Sequence, residues 1–338
     1  MSVRMIQASK GQVIKMTSAL GNAQKNKREN WPSTAIFETI SQNIDGDGLS
    51  KSVQRSIQLG LEAENHVCCS CVGDCATNPN CTCLKTARLM ENTLGGEIIH
   101  YGEPIHNPAS GGKKMFWEKP RFVCGPRCSC RKECSLNPLQ NIDKRQSKKF
   151  EILRTDERGF GGYALIDIKA GSAIASFNGE LVGPKEVKKD INVHHYSLQI
   201  IAEDDPFWKI LSKCKTMNKE YKNELSKAYR CKVFINPLKK GNFTRMFNHS
   251  CDPNMEILRV FQGGVSPADI RVVFTAIREI KAGEELTWHY GDEYFKEHFG
   301  GLTGCLCDKC EESRQPRGRK RNGSQQSKKA QVKKQRTQ

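Results

Sequence analysis

The spacing of apolar positions changes character along the chain. Around Val53, Ile57 and Leu61 they recur every four residues, which predicts a short amphipathic helix after the turn signal Asp45-Gly46-Asp47-Gly48. The stretch before it has little pattern, so residues 1–60 read as a weakly ordered or helical N-terminal region. From Phe150 the pattern shifts to short β-like runs separated by glycines: 150–153, 163–166, 173–177, 196–201, 233–235, 270–276 and 286–290. Many short strands with turn signals predict a compact, mostly-β domain. A charged insertion at about 203–230 interrupts it, with Phe207, Ile210, Leu211 and Cys214 at helical spacing.

Composition changes this picture in one respect. The 338 residues suffice for one substantial domain and a smaller one, yet only 37% are hydrophobic and sixteen are cysteine. Part of the chain is therefore held by something other than apolar burial. The first twenty residues contain no apolar run of signal-peptide length, and no run approaches a membrane span. Clustered cysteines without a secretory signal favour metal over disulfides.

Nine cysteines form two blocks. The first is Cys69-x-Cys71-x3-Cys75-x5-Cys81-x-Cys83, and the second is Cys124-x3-Cys128-x-Cys130-x3-Cys134. Between them runs a Gly/Pro/Asn-rich loop, 95–114. Four-ligand zinc sites divide nine cysteines into two sets with one left over. Alternatively, nine thiolates saturate three tetrahedral zincs if three sulfurs bridge. These blocks resemble the pre-SET module of the SUV39-type histone methyltransferases, whose nine cysteines hold a three-zinc cluster. The resemblance implies three zincs in residues 61–143, with Cys68 a bystander and a structural role for the metal.

Four segments further on resemble the SET domain in the family's order. They are Arg158-Gly159-Phe160-Gly161-Gly162-Tyr163; Tyr196-Ser197-Leu198-Gln199-Ile200; Gly241-Asn242-x2-Arg245-x2-Asn248-His249-Ser250-Cys251-Asp252-Pro253-Asn254; and Gly283-Glu284-Glu285-Leu286-Thr287-Trp288-His289-Tyr290-Gly291. Any one of these residues taken singly is an ordinary turn glycine or core tyrosine; the ordered set carries the reading. The resemblance implies a mostly-β SET fold of short sheets with a knotted C-terminal segment, over 144–292. It also implies a protein-lysine N-methyltransferase using S-adenosyl-L-methionine.

Methyl transfer from a sulfonium to an amine is an in-line displacement, so the enzyme must align a neutral amine and exclude water. On the family's pattern, Gly159, Phe160, Gly161, Arg245, Asn248 and His249 bind the cofactor. Tyr290 and Tyr196 orient the amine, and Trp288 lines the lysine channel. Cys305-x-Cys307-x2-Cys310 is one ligand short of a zinc site. In the family the missing ligand is the cysteine of Asn-His-Ser-Cys, here Cys251, which gives a fourth zinc and a post-SET segment at 293–313. The pair His194-His195 is rejected as a metal site, because neighbouring residues on a strand point to opposite faces.

The pattern is not followed throughout. His289 and Asn236 stand where the family usually has Asp, each removing a partner for a substrate arginine. Phe177 replaces a common Tyr, the last cysteine triplet is closer-spaced, and the insertion is longer.

The expected activity is di- or trimethylation of a histone H3 tail, at lysine 9 by the pre-SET resemblance. The alternatives are another histone lysine or a catalytically silent chromatin adaptor. A zinc-dependent nucleic-acid binder would need a basic folded face. Instead, ten Lys/Arg and no acid lie in 314–338, leaving the rest of the chain +7 of a formal +17. That tail reads as disordered. Its segment Pro316-Arg317-Gly318-Arg319-Lys320-Arg321 resembles a nuclear localisation signal, which points to nucleus and chromosome and to non-specific nucleic-acid contact, with no membrane.

Overall fold

The computed structural model describes residues 37–65, 67–94, 120–130, 134–139, 142, 146–154, 158–214, 217–291, 294 and 304–314. The loop 95–114, the first 36 residues and the basic tail from 315 lie outside them. Two compact units result: one holds residues up to His289 except 250–252, and the other holds Ser250–Asp252 with the segment from Tyr290 onward.

The larger unit begins with strands β1 (Glu38–Thr39) and β2 (Ile44–Asp45) and helix α1 (Lys51–Gly60). Ser50 caps α1, its hydroxyl accepting the Val53 N–H at 3.3 Å, and Val53, Ile57 and Leu59 face inward. Leu61 falls past the last turn and is 67% exposed, so the expected apolar period ends one repeat early. The segment before α1 is ordered by side-chain ties. Asn43 donates to Ile270 O at 2.9 Å and accepts from Gly179 N at 3.2 Å, and Asn178 donates to Ile40 O at 3.4 Å.

Next come α2 (Thr82–Leu94), β3 (Arg121–Val123), α3 (Gln146–Lys149), β4 (Phe150–Arg154) and β5 (Phe160–Ala164). They are followed by β6 (Ala173–Phe177), β7 (Gly179–Val182), α4 (Pro184–Val187), α5 (Ile191–Tyr196) and β8 (Leu198–Ile201). Helices α6 (Trp208–Lys213) and α7 (Lys219–Ala228) occupy the insertion. Strands β9 (Val233–Gly241), β10 (Asn248–His249), β11 (Met255–Gln262), β12 (Ile270–Ala276) and β13 (Glu285–Trp288) complete the unit.

These strands make two sheets. One has the order β1-β9-β7-β2, with β8 also on β9; the other runs β4-β5-β13-β11-β12-β6, with β10 on β13 and β3 on β11. The mostly-β expectation is met. Every residue of β12 is buried, Arg271 and Thr275 included, so both faces of the strand are covered. Phe247 sits edge-on to both Phe150 and Phe274, at 4.9 and 5.1 Å between ring centroids. A Cβ on Gly162 would come within 2.4 Å of the Phe247 ring, which is why glycine stands there.

Two elements differ from expectation. Tyr196 ends helix α5, which Asp190 caps at its start by accepting the Asn192 N–H at 2.7 Å, and Ser197 turns to extended backbone before the strand begins at Leu198. His194 and His195 therefore lie on a helix, and the strand-alternation argument against them does not apply. Among the described residues, no candidate metal-ligand group includes them. Strand β11 is not visible as an apolar run because Glu256 and Arg259 interrupt it. Arg259 is fully buried and ion-paired with Asp205, which is equally buried.

The insertion is a packed helical pair. Phe207 stacks on Phe261 at 4.4 Å, Tyr229 donates to Val265 O at 2.8 Å, and Tyr221 and Leu225 are buried. Burial pushes both tyrosine hydroxyls well above their ordinary range.

Candidate active site and cysteine centres

The glycine loop and the Asn-His strand are tied together. Gly159 adopts a left-handed φ of +76°, which favours glycine, and turns the chain into β5. The Asn248 amide donates to Phe160 O at 3.0 Å and to Glu285 Oε1 at 2.8 Å, while Arg158 donates to Glu285 Oε2 at 2.8 Å. Strand β10 runs parallel to β13, pairing Asn248 with Thr287 and His249 with Trp288. Asn254 clamps the same strand, donating to Glu285 O and accepting the Thr287 N–H. Gly161 and His249 are buried beside Phe160 and Asn248, which are half-buried. Thus Gly159, Phe160, Gly161, Asn248 and His249 are brought to one end of the β5–β13–β10 ladder. Glu285 is the residue that sequence reading missed. It lay within a quoted motif, but nothing local showed that its carboxylate joins two others.

Tyr196 and Arg245 form a second group. The Arg245 guanidinium carbon stands 4.3 Å over the Tyr196 ring and 5.0 Å over Phe37. Its Nη1 donates to Pro237 O and Leu238 O, both at 2.8 Å. Burial pulls the Arg245 pKa down, and Tyr196 opposes that shift. Asn236 is only 4% exposed, and its amide donates to Val193 O at 2.8 Å and Ser197 Oγ at 2.9 Å. Position 236 thus points into the protein, where its amide has internal partners.

Trp288 donates its indole N–H to Phe247 O at 3.3 Å and meets Phe274 edge-on at 5.5 Å. The His289 ring lies 4.8 Å from that of His249 in a T-shaped contact.

The nine cysteines converge, and none of the sixteen forms a disulfide. Cys69–Cys75, Cys83–Cys128, Cys75–Cys124 and Cys124–Cys134 have sulfurs 3.4, 3.5, 3.7 and 4.0 Å apart. The edge of a ZnS4 tetrahedron with bonds of about 2.3 Å is about 3.8 Å, so the spacing fits thiolates around a shared cation. Three sets of four sulfurs lie within coordinating reach: Cys69, Cys83, Cys124 and Cys128; Cys69, Cys71, Cys75 and Cys81; and Cys69, Cys75, Cys124 and Cys130. Cys69, Cys75 and Cys124 recur among these sets. Cys68 belongs to none and donates instead to Gly263 O at 3.3 Å.

The smaller unit holds the other centre. Cys251, Cys305, Cys307 and Cys310 bring four sulfurs together, with Cys251–Cys305 at 3.8 Å and Cys251–Cys310 at 3.5 Å. Burial pushes the Cys307 thiol up, but hydrogen bonds from the Cys251 and Cys310 backbone and from the Cys305 and Cys310 side chains together lower its pKa to about 7. Tyr290 packs edge-on against Tyr294 at 5.1 Å, beside these cysteines. Helix α8 (Asp308–Arg314) ends the described chain.

Comparison with known proteins agrees with this arrangement. The SET domain family matches residues 159–291. The H3 lysine-9 specific histone-lysine N-methyltransferase SUVH5 of Arabidopsis thaliana is 28% identical over 222 residues, 66% of this chain and 22% of that protein. The probable histone-lysine N-methyltransferase set-23 of Caenorhabditis elegans is 26% identical over 276 residues, 81% of this chain and 94% of that protein. The chain thus spans about a fifth of SUVH5 and nearly all of set-23. The Neurospora SET domain protein DIM-5, a histone lysine methyltransferase, shares the fold with a TM-score of 0.52. That match is 20% identical and covers 77% of this chain and 90% of that one. With the SET match preceded by nine converging cysteines and followed by three more, the chain carries a SET domain and resembles the SUV39-type histone-lysine methyltransferases.

Proposed function

We propose that the chain transfers methyl groups from S-adenosyl-L-methionine to a lysine of the histone H3 tail, lysine 9 by default, and adds two or three. The observation that carries this is the Asn248–Glu285–Arg158 tie, which locks the glycine loop to the strand ending two residues before Tyr290. The H3 lysine-9 specificity for which SUVH5 is named supports the choice of substrate.

Bound S-adenosylmethionine supplies an electrophilic methyl on a sulfonium. Backbone at Gly159, Phe160, Gly161, Asn248 and His249 would hold it, while Arg245, expected to join them, stands over the Tyr196 ring. The hydroxyls of Tyr290 and Tyr196 orient the neutral amine and favour positive charge near the reacting atoms. Trp288 gives its only donor to Phe247 O, so this wall presents no hydroxyl to anchor a water against an already methylated amine. That supports di- or trimethylation. The nine cysteines would hold three zincs, and Cys251, Cys305, Cys307 and Cys310 would hold a fourth. All four zincs are structural. The basic tail supports a nuclear, chromosomal location and loose contact with nucleic acid.

The test is labelled methyl transfer to H3 tail peptides, read by mass spectrometry. Wild-type protein is expected to add two or three groups, and none when the target lysine is replaced by arginine. Tyr290→Phe should keep its fold and lose about 100-fold or more in turnover. A product stopped at one group would overturn the reading of Trp288. The His289–His249 contact, where the family carries an acid, favours a second reading as a silent adaptor. That reading requires no transfer at all from zinc-loaded wild-type protein.

A further inference from the structure

Three consecutive residues of β9 act on Tyr196 from two directions. Helix α5, which ends at Tyr196, is six residues long and has no buried side chain, so apolar packing does little to place it. Polar ties take over. The Val193 carbonyl, in the last turn, accepts both the Ser197 hydroxyl at 2.7 Å and the Asn236 amide at 2.8 Å. The other end of the Asn236 amide accepts the Leu238 N–H at 3.0 Å, so its orientation is set by its partners. The carbonyls of Pro237 and Leu238 hold the Arg245 guanidinium, which covers the Tyr196 ring.

We infer that Asn236 is a positioning residue for Tyr196. It supplies the donor that pins the turn carrying this tyrosine, while its two neighbours pin the cation on the ring. The inference rests on the reading of Tyr196 as a tyrosine that orients the substrate amine. The chemistry at 236 is directional. An aspartate there, the residue of the family's usual pattern, has the same shape but no proton to give. It would set a carboxylate oxygen against the Val193 carbonyl. Protonation of that carboxyl would restore a donor.

The experiment measures kcat of the zinc-loaded full chain on an H3 tail peptide for Asn236→Asp and Asn236→Ala, each with and without Tyr196→Phe. Asn236→Asp is expected to lower kcat roughly tenfold, the size of one lost buried hydrogen bond, with unchanged affinity for S-adenosyl-L-homocysteine. Its deficit relative to wild type should shrink as pH falls, whereas the smaller deficit of Asn236→Ala should not. In the Tyr196→Phe background both substitutions should cost less than about twofold, because coupled residues are not additive. Full additivity with Tyr196→Phe, or wild-type kcat in both Asn236 variants, overturns the inference. If Asn236→Asp does not fold, Asn236→Ala decides by the same additivity. Wild-type kcat in Tyr196→Phe alone removes the reading of that tyrosine, and the inference with it.

Discussion

The cysteine segment and the insertion are both short, partly helical additions to the sheets, and they are held by opposite physics. In the insertion, Phe207, Ile210, Leu211, Tyr221, Leu225 and Tyr229 are buried, and Asp205 closes a hidden ion pair with Arg259. In the cysteine segment eight of the nine clustered cysteines are buried, and the hydrocarbon beside them is Leu84, Ala87 and Met90 of α2 with Phe122, Val123, Leu136 and Leu139. One region carries the means of its own stability in its side chains. The other gathers thiols whose deprotonated forms repel each other until a cation joins them.

The strongest break of this comparison is metal removal. A tight zinc chelator should unfold the cysteine segment, read as loss of α2 helicity and a fall in the thermal midpoint. Elemental analysis of untreated protein should return four zincs per chain. Two or fewer would refute the shared-thiolate arrangement.

The next test moves to the insertion. Asp205→Ala leaves a buried guanidinium without its counter-charge and should cost about 3–5 kcal/mol in urea unfolding. Combining Asp205→Ala with Arg259→Met should recover a large part of that loss, since the stranded charge is gone. A loss as large in the double variant as in the single would mean that the pair's attraction itself stabilises the region.

The smallest effect is expected at the surface. Arg55 of α1 donates to Glu220 of α7 at 2.6 Å, but both side chains are well exposed to water. Arg55→Ala should leave the unfolding midpoint unchanged within error, because exposed pairs are screened. A clear destabilisation would show that α1 and α7 depend on charge as well as on packing.

Local pattern in the sequence determined a good deal here. Period and turn signals marked β4, β6 and β12, the spacing of Phe207, Ile210 and Leu211 marked α6, and the cysteine spacing announced ligands. The order of the Gly159, Asn248 and Tyr290 motifs pointed to the SET domain. Each of these signals acts within a turn, a strand or a motif, and so survives without knowledge of the fold. Tertiary structure alone decided which cysteines come within reach of one another, that Tyr196 closes a helix, that Asn236 faces inward, and that Glu285 joins Arg158 to Asn248. The partners involved lie far apart along the chain: 43 residues for Asn236 and Val193, 54 for Arg259 and Asp205, and 88 for Asn248 and Phe160. A hydrogen bond depends on where its donor and acceptor meet in space, and periodicity reads only near neighbours along the chain.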